Sequence, residues 1–121
     1  MKGELIKMKN RNKYYNPNPK KIETGDCVVR AICKATGKDW DTVYQELVEI
    51  GFELKVMPNS DTAWKHYLSQ HGFIEHKISN KKGTKRPTVA SFARTHPKGT
   101  FILRIANHIV TCVDGYYFDI W

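Results

Sequence analysis

Ile109-Val110-Thr111-Cys112-Val113-Asp114-Gly115-Tyr116-Tyr117-Phe118-Asp119-Ile120-Trp121 consists of two runs rich in β-branched and aromatic residues, joined by an Asp-Gly pair. Such a pair between strand-like runs is a strong signal for a tight hairpin, because both central positions of the favoured turn need a positive φ. A third run of the same kind, Phe101-Ile102-Leu103-Arg104-Ile105, precedes it. Most of the chain upstream reads as helices. Helices first and an antiparallel sheet last is the order of an α+β domain.

The hairpin also fixes a register. With Asp114 and Gly115 as the turn, Val113 faces Tyr116, and stepping outward puts Val110 opposite Asp119 and His108 opposite Trp121. His108 and Asp119 then share one face as diagonal neighbours, within reach of an imidazole–carboxylate contact. A carboxylate on one ring nitrogen fixes the tautomer and steadies the protonated ring, which leaves the other nitrogen to take a proton from a thiol. Read singly, His108 is a half-exposed strand residue and Asp119 a solubilising charge.

The thiol that such a pair would serve lies in Thr24-Gly25-Asp26-Cys27-Val28-Val29-Arg30-Ala31-Ile32-Cys33-Lys34-Ala35-Thr36-Gly37. Val28, Ala31, Ile32 and Ala35 recur at helical spacing with Arg30 and Lys34 on the opposite arc; Thr24 or Gly25 caps the start and Gly37 stops the helix. Asp26 sits where the helix dipole tolerates an acid. Cys27 falls in the first turn, where unpaired backbone N–H groups favour thiolate over thiol. Two readings stay open for it: a nucleophile, and a packing thiol, since free cysteines are among the most buried residues. A cysteine at a helix start, followed much later by a histidine on one strand and an acid on the next, is the arrangement nucleophilic catalysis requires.

Asp39 or Asp41 caps a second helix running to about Glu49, whose Trp40, Val43, Tyr44, Leu47 and Ile50 form an apolar core stripe ended by Gly51. Pro58-Asn59-Ser60-Asp61 is a turn and cap for a third helix, with Trp64, Tyr67 and Leu68 inward and Gly72 as its stop. His66 and His71 are five apart, not the four that would align two metal ligands, and read as surface or capping residues. Residues 73–78 read as a short strand and 79–87 as a loop. Thr88 caps a fourth helix bearing Val89, Phe92 and Ala93, closed by Pro97 and Gly99. Residues 10–20 are Asn-rich and broken by proline, an extended or irregular lead-in that Tyr14 and Tyr15 anchor. The expected organisation is a basic polar N-terminal arm over 1–23 and a single domain over 24–121.

A chain of 121 residues suits one domain with a real core. Its three cysteines, odd in number and without CxxC spacing, argue against a disulfide framework and a conventional zinc site. Cys33 and Cys112 therefore read as buried thiols, and no cofactor or metal is expected. No apolar run reaches the length of a membrane span, and residues 1–9 lack the apolar region of a secretory signal, so the expectation is a soluble cytoplasmic protein with no membrane partner. The net charge of +8 is unevenly spread. Residues 1–21 hold seven Lys or Arg and one Glu, and residues 77–86 hold five Lys or Arg and no acid. A solvated basic tail and loop is the simpler reading; weak polyanion contact through these two segments is the other.

Gly25-Asp26-Cys27, the His108 strand and Asp119-Ile120-Trp121, in that order, resemble the papain-like cysteine peptidases in a minimal form. The chain is similar to small papain-like proteins of phages and bacteria and, more loosely, to the bacteriocin-processing cysteine peptidases. The resemblance runs from about residue 24 to 121, with the Cys27 segment and residues 108–121 as its specific parts. It implies a helical half carrying the nucleophile, packed on a sheet carrying the base, with the site in the cleft between them. It further implies Cys27 as nucleophile, His108 as general base and acid, Asp119 as the residue orienting His108, and the Cys27 backbone N–H as an oxyanion donor. The family's second donor is usually a glutamine a few residues before the cysteine. This chain has no glutamine there, and Asn18, Asn16 and Thr24 are the candidates; Asn107 reads as a bulge or strand-edge residue.

The implied activity is that of a thiol hydrolase cleaving a peptide, isopeptide or amide bond of a protein or peptide substrate through a Cys27 acyl-enzyme. An alternative is a catalytically weak or inactive papain-like module, phage-encoded and acting in host cytoplasm, that binds a host protein or a polyanion. A third reading, a small nucleic-acid-binding protein, rests on the basic segments alone.

Overall fold

The computed structural model describes residues 10–78 and 87–120. These form an α+β arrangement of β1 (Asn12–Tyr14), α1 (Cys27–Thr36), α2 (Trp40–Leu54), α3 (Asp61–Gln70), α4 (Val89–Thr95), β2 (Thr100–Ile105), β3 (His108–Val113) and β4 (Tyr116–Asp119). The sheet order is β1-β4-β3-β2, with β2, β3 and β4 antiparallel and β1 parallel to β4.

The hairpin has the expected turn and register. Asp114 and Gly115 take φ of 49° and 83°, and Val113 pairs with Tyr116, Cys112 with Tyr117 and Thr111 with Phe118. Gly115 has a second reason to be glycine, since a Cβ there would sit 3.3 Å from Pro97 Cα and 3.4 Å from Ala93 O at the end of α4. A second two-residue turn, Ala106-Asn107, joins β2 to β3 and pairs Ile105 with His108. Asn107 is thus a turn residue at φ 53°, not a bulge or strand-edge residue; asparagine is among the few side chains that tolerate this region.

Side-chain alternation puts Ile102, Thr111 and Phe118 on one face of the sheet and Phe101, Cys112 and Tyr117 on the other. α1 covers the first face, where the Thr111 hydroxyl donates to Ala31 O at 2.6 Å. α4 covers the second, where the Phe92 and Phe101 rings meet edge to face at 5.2 Å. Val28, Val29, Ile32, Val43, Leu47, Trp64, Tyr67, Leu68 and Ile109 form the core cluster between α1, α2, α3 and the sheet.

Every residue of α1 from Val28 to Cys33 is buried, so this helix is enclosed on all sides rather than along one stripe. Arg30, placed on the arc opposite the apolar residues, is only 3 % exposed. The start of α1 also differs from the reading above: Asp26, not Thr24 or Gly25, occupies the cap position, while Gly37 ends the helix in the left-handed conformation as expected.

α2 is capped by Asp39, which accepts from Thr42 N, but it runs through Gly51 to Leu54 and ends on a left-handed Lys55 at φ 61°. Gly51 is not a stop signal. It is a close-approach residue, because a Cβ there would lie 2.7 Å from Val56 O. Tyr44, assigned to the core stripe, is 47 % exposed, and the stripe is Trp40, Val43, Leu47 and Ile50. α3 is capped by Ser60 through Ala63 N and ends at His71, whose Nδ1 donates to Tyr67 O at 2.8 Å, a capping role for that histidine. Thr88 and Ser91 cap α4 reciprocally.

Residues 12–14 are extended, as one form of the expected lead-in was, but they are regular: a strand rather than an unpaired arm. They pair with residues 117–119, and the sheet thereby takes its edge strand from the segment read as an arm. The prolines that argued against structure, Pro17 and Pro19, lie beyond the strand. Residues 73–78 form no strand: Phe73 packs on the core, while Ile74 and Ile78 are exposed. The expected basic loop falls outside the described residues except for position 87. No helix among the described residues is long and apolar enough to cross a membrane.

Candidate active site

His108 opens β3 immediately after the Ala106-Asn107 turn, and Asp119 closes β4. The hairpin register brings them together as the sequence indicated, with His108 Nε2 2.5 Å from Asp119 Oδ2. Asp119 is 1 % exposed, whereas the imidazole keeps an exposed side. The remaining acceptors of Asp119 are occupied. Oδ1 accepts from Ile120 N at 2.8 Å and from Arg30 Nη2 at 2.9 Å, and the backbone carbonyl accepts from Tyr15 N at 2.7 Å.

From Asp119 the polar chain continues into α1. Arg30 Nη1 donates to Asp26 Oδ1 at 2.8 Å, and Asp26 Oδ2 accepts from Trp40 Nε1, also at 2.8 Å. Trp40, Asp26, Arg30, Asp119 and His108 thus form one continuous chain from α2 to the sheet. Three of its members are charged and almost fully buried. Removing charges from water costs several kcal/mol each unless they are paired and their hydrogen-bonding capacity is met, which this chain does. Sequence reasoning missed the part played by Arg30 and Trp40. The one signal available was the four-residue spacing of Asp26 and Arg30 on a single helix face.

Cys27 is the first residue of α1, half-buried and packed at the edge of the core. Asp26 before it and Arg30 one turn after it are the two members of the chain that α1 and its cap contribute. No side chain caps α1, because the Asp26 carboxylate is turned toward Arg30 and Trp40. The contacts that join the site run through Asp119 on one side and through α1 on the other, and no hydrogen bond of the Cys27 thiol is among them. Cys33 and Cys112 are buried, as expected. Burial, reinforced by Asp39 and Asp26, pushes the Cys33 thiol up to about 12, and burial raises Cys112 as well.

The three oxyanion candidates are not equivalent. Asn16 is committed at both ends of its side chain, with Nδ2 donating to Ile22 O at 3.1 Å and Oδ1 accepting from Asn18 N at 3.2 Å. Asn18 is buried and uses Oδ1 to accept from Lys20 N at 2.8 Å, which leaves its Nδ2 donor uncommitted among the described residues. Thr24 is exposed, and its backbone carbonyl accepts from Asp26 N.

Compared with protein-family models, with curated proteins and with solved structures, the chain matches none at a significant level.

Proposed function

We propose that this protein is a papain-like thiol hydrolase acting on a peptide, isopeptide or amide bond. Cys27 Sγ attacks the carbonyl carbon while His108 takes the thiol proton. His108 then passes that proton to the leaving nitrogen as the C–N bond breaks and a thioester forms. Water, deprotonated by His108, cleaves the thioester and restores the thiol. Asp119 holds Nε2 of the imidazole, which assigns the proton exchange to Nδ1.

The observation that carries this reading is the double attachment of Asp119. The same buried carboxylate holds His108 and, through Arg30, the helix that begins at Cys27. The uncapped first turn of α1 supports it, since backbone amides there, that of Cys27 included, can serve the developing oxyanion. Asn18 and Thr24 supply the candidates for a second donor.

Alkylation with a stoichiometric thiol reagent at mildly acidic pH, with the adducts mapped, tests the reading. Cys27 should react well ahead of Cys33 and Cys112, and His108→Ala should slow it. Equal reactivity of the three thiols, or a Cys27 rate indifferent to His108, removes the basis for catalysis.

The second reading, a papain-like module that binds without catalysis, draws on a different feature. Tyr44, Val48 and Phe52 follow one another at four-residue spacing on the outer face of α2, with Met57 beyond them; Phe52 is 75 % exposed and Met57 69 %. Contiguous exposed apolar side chains are the kind of surface at which partners dock. Activity of the wild-type chain that is lost in Cys27→Ala decides for the hydrolase.

A further inference from the structure

We propose that Arg30 is a positioning residue for this site: its buried guanidinium, forked between Asp26 and Asp119, aims the Asp119 carboxylate at His108 and sets the start of α1 in register with the end of β4. The proposal takes from the papain-like reading only what His108 serves; the geometry it explains stands apart from it.

A carboxylate at a strand end is free to turn about its terminal bond. Here two donors from different elements, Arg30 Nη2 and Ile120 N, converge on Oδ1 and leave Oδ2 directed at His108 Nε2. The arginine is itself fixed from the far side, where Asp26 is held by Trp40. A planar fork spans two carboxylates at once with separate nitrogens, and a lysine ammonium, a single point donor on a flexible stem, does not. Simple charge neutralisation would be met by lysine as well. The fork is what joins Asp26, next to Cys27 in the chain, to Asp119, next to His108 in space.

The test uses the full chain labelled with 15N. Two-bond 1H–15N correlation spectra report which ring nitrogen of neutral His108 carries the proton, with His108→Gln providing the assignment. Wild type should show one tautomer, protonated on Nε2. Arg30→Lys retains the charge and should show averaged ring-nitrogen shifts while the chain remains folded. The Cys27 alkylation rate should fall about tenfold, as for a reacting group displaced by a fraction of an ångström. Trp40→Phe removes the outermost donor together with one ring of the indole, leaves the Asp26–Arg30–Asp119 contacts in place, and should move the spectrum part of the way in the same direction. If Arg30→Lys does not fold, Trp40→Phe decides alone. Folded variants with the wild-type His108 spectrum overturn the proposal. A wild-type chain whose Cys27 reacts no faster than Cys33, but whose His108 spectrum still answers to these variants, defeats the hydrolase reading and leaves the role of Arg30 standing.

Discussion

The Thr111 hydroxyl, fully buried on β3, donates to the Ala31 carbonyl in the middle of α1 at 2.6 Å. That oxygen belongs to the helix ladder, so the sheet fastens the helix by its main chain and fixes how far along the sheet Cys27 lies. Thr111→Val keeps the shape and removes the donor. It should cost about 1–2 kcal/mol, the usual range for a buried hydrogen bond, and lower Tm by several degrees. A thermal melt indistinguishable from wild type would mean that the contact contributes nothing.

Stability should fall in alkali. Burial, and then the neighbouring Cys33, raises Tyr15 from 10.0 to about 12; burial, and then Asp39 and Asp26, raises Cys33 from 9.0 to about 12. The fold therefore holds these protons more tightly than the unfolded chain does, and the associated stabilisation is complete below the unfolded values and lost as pH climbs toward the folded ones. Urea midpoints should be level up to about pH 8.5 and decline between about 9 and 12, with a shallower decline in Cys33→Ala. A level profile to pH 11 contradicts the burial of these groups.

A second titrating pair joins α2 to α3. The Tyr67 hydroxyl donates to Glu46 Oε1 at 2.5 Å, and Lys38 Nζ lies 3.1 Å from the same oxygen. The tyrosine contact first, and the lysine after it, holds Glu46 below its usual range; burial and the same pair hold Tyr67 above its own. A depressed carboxylate contributes stability above its unfolded value of about 4.5 and loses it as pH falls through the folded value. Glu46→Gln should therefore lower Tm at pH 7 and much less at pH 3. The loss should stay under about 1 kcal/mol, because the carboxylate is partly open to solvent.

Gly51→Ala provides a test of sign. Helix propensity alone favours alanine by up to about 1 kcal/mol. The 2.7 Å separation between the added Cβ and Val56 O opposes it, with backbone rather than a flexible side chain as the obstacle. Net destabilisation of about 1–3 kcal/mol is expected, measured by chemical denaturation. A gain in stability would show that the chain after α2 gives way.

The parts of the site that were legible in the sequence are those tied to local signals. Asp114-Gly115 determines strand parity, and parity alone places His108 and Asp119 on one face; the position of Cys27 followed from helix periodicity. Arg30 was not legible, because an arginine on a helix is assigned outward unless its partners are known, and one of them lies on β4. Trp40 looked like core for the same reason: its ring packs, while its Nε1 does something else. The turn at Ala106-Asn107 lacks a glycine, and β1 is too short to show alternation. Gly51 reads locally as a stop, but the helix runs through it and its lack of a side chain serves the close approach of Val56 O instead; residues 73–78 have strand-like composition but form no strand.

The parallel pairing of β1 with β4 has a kinetic meaning. Arg11 and Gly115, which meet at 3.1 Å beside that pairing, are 104 positions apart in the chain. Closing a loop of that size costs on the order of 4 kcal/mol in chain entropy before any contact compensates for it. Such contacts form late in folding and are the first to open afterwards. Tyr15, directly after β1, is what fastens the backbone of Asp119. Refolding should therefore restore helical signal before it restores the His108 environment, and simultaneous recovery of the two would remove this order. A chain with this topology can be nearly native and still lack the geometry on which the proposed chemistry depends.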